Sequence, residues 1–326
     1  MSKTEAVPNF LDPQTLAAIK TIDLRARIIV EGLMSGQHRS PQQGISVEFA
    51  QHRPYTPGDD TRFLDWKIYG KTDKLYLKQY QQETNLDLLV LLDCSGSMGY
   101  TSLTQDRPGW TANWTKWNHG ACVAAAMANI ALRQQDRVGL TLFADDVVSG
   151  SRLSNAQNHW KTIAQLLHRA ELVEEANDDL VPIDNTHTHT DLGQIVDRTV
   201  VRLTRRSLVV LVSDFFDDPS HLEHGLARLH HRHHDVILLQ VMDPAELTFG
   251  FRDLSEFHGL EGEGRLPIDP RALREAYVEV VEEHLRGIER VARKFDYDYL
   301  LLKTDEALGP PLSHFLARRS SLISKG

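Results

Sequence analysis

The strongest signal in the chain is a series of short apolar runs separated by helix-length segments. Leu86 to Leu92 carries a single charge, Asp87, and RVGLTLF from Arg137, SLVVLVS from Ser207, VILLQVM from Val236 and Tyr297 to Leu302 read the same way. Near-continuous apolar runs of this length fit strands buried on both faces of a parallel sheet. Helical periodicity fills the gaps: His119 to Arg133, Gln157 to Ala170, Leu192 to Leu203, Pro219 to His231, Pro270 to Lys294 and Leu312 to Leu322. Asp145 to Arg152 reads as an antiparallel edge strand. Such alternation predicts right-handed crossovers and an α/β fold, a doubly wound, mostly parallel sheet with helices on both faces.

Other stretches break this rhythm. Pro13 opens a helical pattern that runs to Gly36, and the polar, basic Gln37 to Gln43 reads as a linker. Residues 45–85 hold short alternating strands around the turn-rich YTPGDDTRFLDW, and Thr248 to Gly264 again reads as short strands with a glycine turn. The expected organisation is an N-terminal helix and linker (1–44), a small appended β module (45–85, joined by 245–268) and the α/β domain (86–244 and 269–326).

Polarity flips at the end of the first long strand. Asp93, Ser95 and Ser97 follow at alternate positions, D-x-S-x-S, with Gly96 allowing a tight curl. In open α/β sheets ligands gather beyond the carboxyl ends of the strands. One carboxylate and two hydroxyls there suit a small hard cation such as Mg2+, with Mn2+ or Ca2+ as alternatives.

This loop resembles the metal-ion-dependent adhesion site of von Willebrand factor A-type domains. Thr190 in THTDLG and Asp214 at the end of LVVLVSDFFDD match that family's two further segments, in the family's order. A second motif resembles a bacterial family with an A-type domain, domain of unknown function family fifty-eight: Tyr55, Gly58, Asp59, Asp60, Arg62, Asp65 and Trp66 recur in its order. The resemblance implies a von Willebrand factor A-like fold with a metal held directly by Ser95 and Ser97. Thr190 would bind directly or through water, and Asp93 and Asp214 mainly through waters. It further implies a non-enzymatic module in which a protein partner's carboxylate completes the metal's shell. Family members are often encoded beside MoxR-type AAA+ ATPases, which implies an adaptor or co-chaperone of such an ATPase in assembling or maturing a protein complex.

Composition narrows the alternatives. The formal net charge of −9 over 326 residues argues against nucleic acid and anionic membrane surfaces as partners. Two cysteines, Cys94 and Cys122, build neither a disulfide framework nor a zinc site. Without a signal-peptide core or a membrane-length apolar run, a cytoplasmic protein is expected.

The acidic turn at Asp59, Asp60 and Asp65 reads as an ion network holding an irregular loop. The long segment after Met98, with Trp110, Trp114 and Trp117, fits either a partner-facing rim or a loop packed on its own domain. Histidines 221 to 234, and His187 and His189, read as solvated positions rather than a transition-metal site.

The rivals are a metal-dependent hydrolase and a metal-free scaffold. A phosphatase D-x-D would need an acid where Ser95 stands, and neither a G-x-S-x-G elbow nor a phosphate-cradling glycine loop occurs.

Overall fold

The computed structural model describes residues 11–37, 51–56, 64, 66–79, 86–176, 192–251, 255–258 and 265–325. In chain order these form α1 (Pro13–Ala17), α2 (Ile22–Gln37), β1 (Gln51–Pro54), α3 (Trp66–Thr72), β2 (Tyr76–Gln79), β3 (Asp87–Asp93), α4 (Lys116–Arg133), β4 (Arg137–Phe143) and β5 (Val147–Gly150). They continue with α5 (His159–Ala176), α6 (Leu192–Val200), β6 (Ser207–Ser213), α7 (Pro219–His231), β7 (Asp235–Met242), α8 (Pro244–Thr248), β8 (Ser255–His258), β9 (Arg265–Ile268), α9 (Pro270–Lys294), β10 (Asp298–Lys303) and α10 (Gly309–Lys325).

Six strands make one sheet in the order β10-β7-β6-β3-β4-β5, parallel throughout except for β5. This is the doubly wound, mostly parallel α/β fold that the apolar runs predict. Every residue of β3, β6 and β7 is buried. Alternate residues face opposite layers, as the two-residue repeat of a strand requires. Leu88, Val90 and Leu92 join α1, α2, α4, α5 and α10 in one core, whereas Leu89 and Leu91 join α6, α7 and α9 in the other. At about 1.5–3 kcal/mol per fully buried aliphatic side chain, these layers are the main source of stability.

Helix α4 approaches the sheet closely because it is built from small residues. A Cβ on Gly120 would lie 3.1 Å from Val212 and 3.4 Å from Leu92.

Charges inside the apolar strands are individually satisfied. Asp87 is buried at the start of β3, where Arg137 of β4 grips it with two donors, Nε to Oδ1 at 2.7 Å. Gln240 crosses the sheet: its Nε2 donates to the Asp214 carbonyl at 2.7 Å while Oε1 accepts from Tyr299.

Helices α7, α8 and α9 share one start signal, an aspartate before proline. Asp218, Asp243 and Asp269 each accept a backbone N–H of the first turn, and proline at the first helical position has no N–H to leave unpaired.

The structure departs from the expected elements in three places. The N-terminal helix is broken between Ala17 and Ile22. Arg25 Nε donates to the Ile19 carbonyl freed by that break, which lets Leu16 and Ile29 both reach the core. Residues 66–72 are helical within the segment expected to be β-rich without a long helical period, and 244–248 form α8 ahead of the β8–β9 hairpin.

Contacts divide the chain into a large unit, residues 1–33 and 86–326, and a small one, 34–85. The small unit contains the antiparallel β1–β2 pair and α3; the β8–β9 pair belongs to the large unit.

The tryptophan segment is packed on its own domain. Trp114 is fully buried, its Nε1 donates to His119 Nδ1 at 3.3 Å, and the Arg25 guanidinium lies 5.5 Å from its ring centre. Trp110 and Trp117 are also buried. The loop's backbone is tied down at both ends, by Thr101 Oγ1 donating to the Trp114 carbonyl and by Ser102 N donating to Asp243.

Burial pushes His119 down to about 3, so it is neutral in the folded protein. The unfolded chain protonates this histidine near pH 6.5, so protons favour unfolding below that value. Stability contributed by neutral His119 is therefore complete above pH 6.5 and lost as pH falls toward 3, by up to about 1.4 kcal/mol per pH unit. His119→Asn, a smaller neutral substitute, flattens the decline between pH 6.5 and 4.5 relative to wild type in urea melts. Parallel slopes would refute this.

Candidate metal centre

Strands β3 and β6 are neighbours, yet their connections run in opposite directions across the sheet. Their carboxyl ends therefore open a crevice, the usual ligand position in this kind of fold. Asp93 closes β3, and Asp214 follows directly on β6.

The register explains how they meet. Leu92 pairs with Val212, which brings Ser213 beside Asp93, and Ser213 Oγ donates to Asp93 Oδ2 at 2.5 Å. The other oxygen, Oδ1, accepts the backbone N–H of Ser95 at 2.8 Å, curling the chain into a single 3₁₀ turn over Gly96–Gly99. That curl sets Ser95 Oγ and Ser97 Oγ 3.1 Å apart. Both serines are partly exposed; both carboxylates are buried.

A turn after β6 fixes the second carboxylate. Phe215 takes the left-handed conformation, φ 56°, while its N–H donates to Ser213 Oγ at 2.9 Å. A bulky residue there costs about 1–2 kcal/mol, a strain that surrounding packing must hold. Asp214 Oδ2 accepts from Lys116 Nζ at 2.7 Å.

Lys116 is the centre's unexpected member. Its side chain is wholly buried, and its ammonium also donates to Glu246 Oε1 at 2.6 Å. Burial alone would push this lysine down, but Asp214 and Glu246 outweigh it and hold it above its ordinary value. Glu246 is itself fixed by the α8 capping box, its Oε2 accepting the Asp243 N–H at 2.9 Å. The Lys116 ammonium also lies 4.9 Å from the centre of the half-exposed Phe216 ring.

Burial, followed by repulsion from Asp214, pushes Asp93 up to about 7 against the hydrogen bonds from Ser213 and Ser95. A divalent cation beside these carboxylates acts in the opposite direction, favouring the ionised form.

The residues fit such a cation in two respects. Octahedral Mg2+ with oxygens at about 2.0–2.1 Å places adjacent ligands about 3 Å apart, and the two serine hydroxyls stand at 3.1 Å. With Lys116 and Glu246 cancelling one another, Asp93 in its ionised form and Asp214 leave two negative charges.

Of the five candidate ligands, the structure brings Asp93, Ser95 and Ser97 into one loop and places Asp214 after the adjacent strand. Thr190 lies outside the described residues. So do Gly58, Asp59, Asp60, Arg62 and Asp65 of the acidic turn; Tyr55 and Trp66 remain, the latter exposed and edge-on to Tyr69 at 6.1 Å.

Among the described residues no three His, Cys, Asp or Glu side chains are placed to hold a metal. Several histidines have structural contacts instead: His234 Nδ1 accepts the Ser207 N–H, and His230 packs against Phe295 and Tyr297. His187 and His189 are outside the described residues. Cys94 donates its thiol to the Phe143 carbonyl, and burial pushes Cys122 up to about 12.

The sequence profile of the family described as "Protein of unknown function DUF58" matches residues 51–286. The chain belongs to this family. It is 23% identical over 312 residues to the uncharacterized proteins Rv1480 of Mycobacterium tuberculosis and Mb1516 of Mycobacterium bovis, covering 94% of this chain and 90% of each.

Among solved structures it is similar to the conserved hypothetical protein BatB from Bacteroides thetaiotaomicron, at 14% identity and a TM-score of 0.44, over 74% of this chain and 100% of that one. It is also similar to the SpRpn10 VWA domain, at 11% identity and a TM-score of 0.36, over 71% and 95%. Likenesses this distant carry no property from one chain to another.

Lys116, Ser213 and Glu246 were not among the expected site residues. Lys116 looks like any lysine opening a helix; only Asp243-Pro244 with Glu246 three residues after the aspartate was readable, as a capping box.

Lys116→Met leaves Asp214 and Glu246 buried without their cation and costs about 3–5 kcal/mol of stability. Glu246→Gln keeps the lysine paired with Asp214 and costs about 1–2 kcal/mol. Urea melts of the two variants rank them in that order, and a milder loss in Lys116→Met would contradict the assignment.

Proposed function

We propose that this DUF58 protein is a non-enzymatic, metal-dependent protein-binding module. Its Asp93–Ser97 loop holds a divalent cation, Mg2+ or else Mn2+ or Ca2+. The observation that carries this reading is the pair of serine hydroxyls 3.1 Å apart at the carboxyl end of the central strand, backed by a buried carboxylate.

Ser95 and Ser97 serve as direct ligands, with Thr190 as a third. Both oxygens of Asp93 and both of Asp214 already accept hydrogen bonds, the latter from Lys116 Nζ and the Phe216 N–H, so these carboxylates act mainly by their field and through water. Neutral hydroxyls leave the cation attractive to an outside carboxylate, which a protein partner supplies. Family membership supports a MoxR-type AAA+ ATPase as that partner, with this chain as adaptor or co-chaperone in assembling or maturing a complex.

In calorimetry, Mg2+ and Mn2+ bind wild type at one saturable site, and Ser95→Ala/Ser97→Ala weakens binding at least about tenfold with the circular dichroism spectrum unchanged. Unaltered binding in that variant would remove the loop from the proposal. Capture of a purified MoxR-type ATPase in Mg2+ and its release by chelator supports the partner; capture indifferent to chelator counts against metal dependence. Metal-dependent phosphatase or esterase turnover abolished by Ser97→Ala would replace the binding module with a hydrolase.

A further inference from the structure

A second site lies on the other layer of the sheet, at its β4–β5 margin. The β4 residues on this face are Arg137, Gly139, Thr141 and Phe143, and Leu89 and Leu153 pack closely over the glycine. A Cβ at Gly139 would lie 3.3 Å from Leu89 and 3.4 Å from Leu153. Above them opens a cavity of about 600 Å³, within the range that takes small organic ligands.

Its lining divides by chemistry. Leu89, Leu153 and Leu203 supply an apolar floor, whereas Arg137, Arg152 and Arg202 supply three guanidinium groups. Asp87 already neutralises Arg137. Arg152 and Arg202 are exposed, and neither guanidinium has an ion-pair or hydrogen-bond partner among the described residues. Among the described residues the site therefore carries two uncompensated positive charges, in a protein whose formal net charge is −9.

Hydroxyls complete it. Thr141, a buried residue of β4, also lines the cavity. Ser151 Oγ accepts the Leu140 N–H at 3.0 Å, which leaves its own proton to donate into the cavity, and Thr204 adds another hydroxyl.

We infer that this cavity binds a phosphorylated small molecule. Two guanidinium groups match a phosphate dianion in charge and in their planar, paired donors, and the hydroxyls donate to its remaining oxygens. The leucine floor takes the organic body. None of this involves the serine loop, so the two sites stand or fall separately.

Isothermal titration of the 326-residue chain at constant ionic strength tests it with three probes: inorganic phosphate, phenyl phosphate and benzoate. Phenyl phosphate binds at one site, about tenfold or more tighter than inorganic phosphate or benzoate. Arg152→Gln/Arg202→Gln, two surface substitutions, weakens it at least about tenfold. Thr141→Val, a near-isosteric change, weakens it several-fold, and Ser95→Ala/Ser97→Ala leaves it unchanged. No saturable binding, or binding indifferent to the arginine pair, would overturn the site. Benzoate binding as tightly as phenyl phosphate would overturn the phosphate assignment.

Discussion

Two buried carboxylates at the carboxyl ends of adjacent strands set the terms for everything around them. Taking a carboxylate out of water costs several kcal/mol even after relaxation, and placing a second beside it raises that cost. Asp93 and Asp214 are tolerated because each is met by donors that the fold delivers from elsewhere: a backbone N–H and Ser213 for the first, the Lys116 ammonium for the second. The demand spreads outward. Lys116 needs a second carboxylate, Glu246; Glu246 is positioned by its capping box with Asp243; and Asp243 holds the start of the tryptophan loop through Ser102. The loops at this end of the sheet are therefore one hydrogen-bonded network, and its rigidity sets the spacing of the two serine hydroxyls.

The legible parts of the fold were those governed by local rules. β3, β6 and β7 announce themselves because strands covered on both faces must be apolar throughout, and Pro219–His231 and Pro270–Lys294 were readable to the residue because an Asp-Pro pair marks the start of each helix. The D-x-S-x-S loop was legible for the same reason, three functional groups within five residues.

What could not be read depends on distance in sequence. Nothing near Lys116 foretells Asp214 or Glu246, about 100 and 130 residues away. Gln240 is a polar interruption of an apolar strand that nothing local explains; in the sheet it lies between Asp214 and Tyr299. The break after Ala17 follows from Arg25, whose guanidinium bonds Ile19, Asn118 and Glu171 at once. Helix α3 is short, and seven residues carry too few turns for a period to stand out.

The tryptophan segment shows how burial decides between readings that composition leaves level. Aromatic residues are enriched both in binding hot spots and in cores, so three of them in a long loop favour neither. Trp114, buried against His119 and Arg25, is spent on holding the loop to α4 and α2. What the network leaves accessible at this end of the sheet is the partly exposed serines and Phe216, whose ring covers the Lys116 ammonium on one face and stacks with His284.

Net charge carries a similar warning about averages. A total of −9 speaks against polyanions that would bind over a broad surface, because that kind of attraction sums over the whole molecule. It says little about a cavity. At physiological ionic strength charges separated by more than about 8 Å of solvent are largely screened, so a ligand in the β4–β5 hollow is governed by the few groups lining it. Arg152 and Arg202, unpaired among the described residues and beside the already neutralised Arg137, make that hollow locally cationic in an acidic protein. The carboxyl end of β3 presents the opposite sign. One sheet thus carries buried carboxylates at its loop end and arginines along one face, and a single figure for the whole chain describes neither.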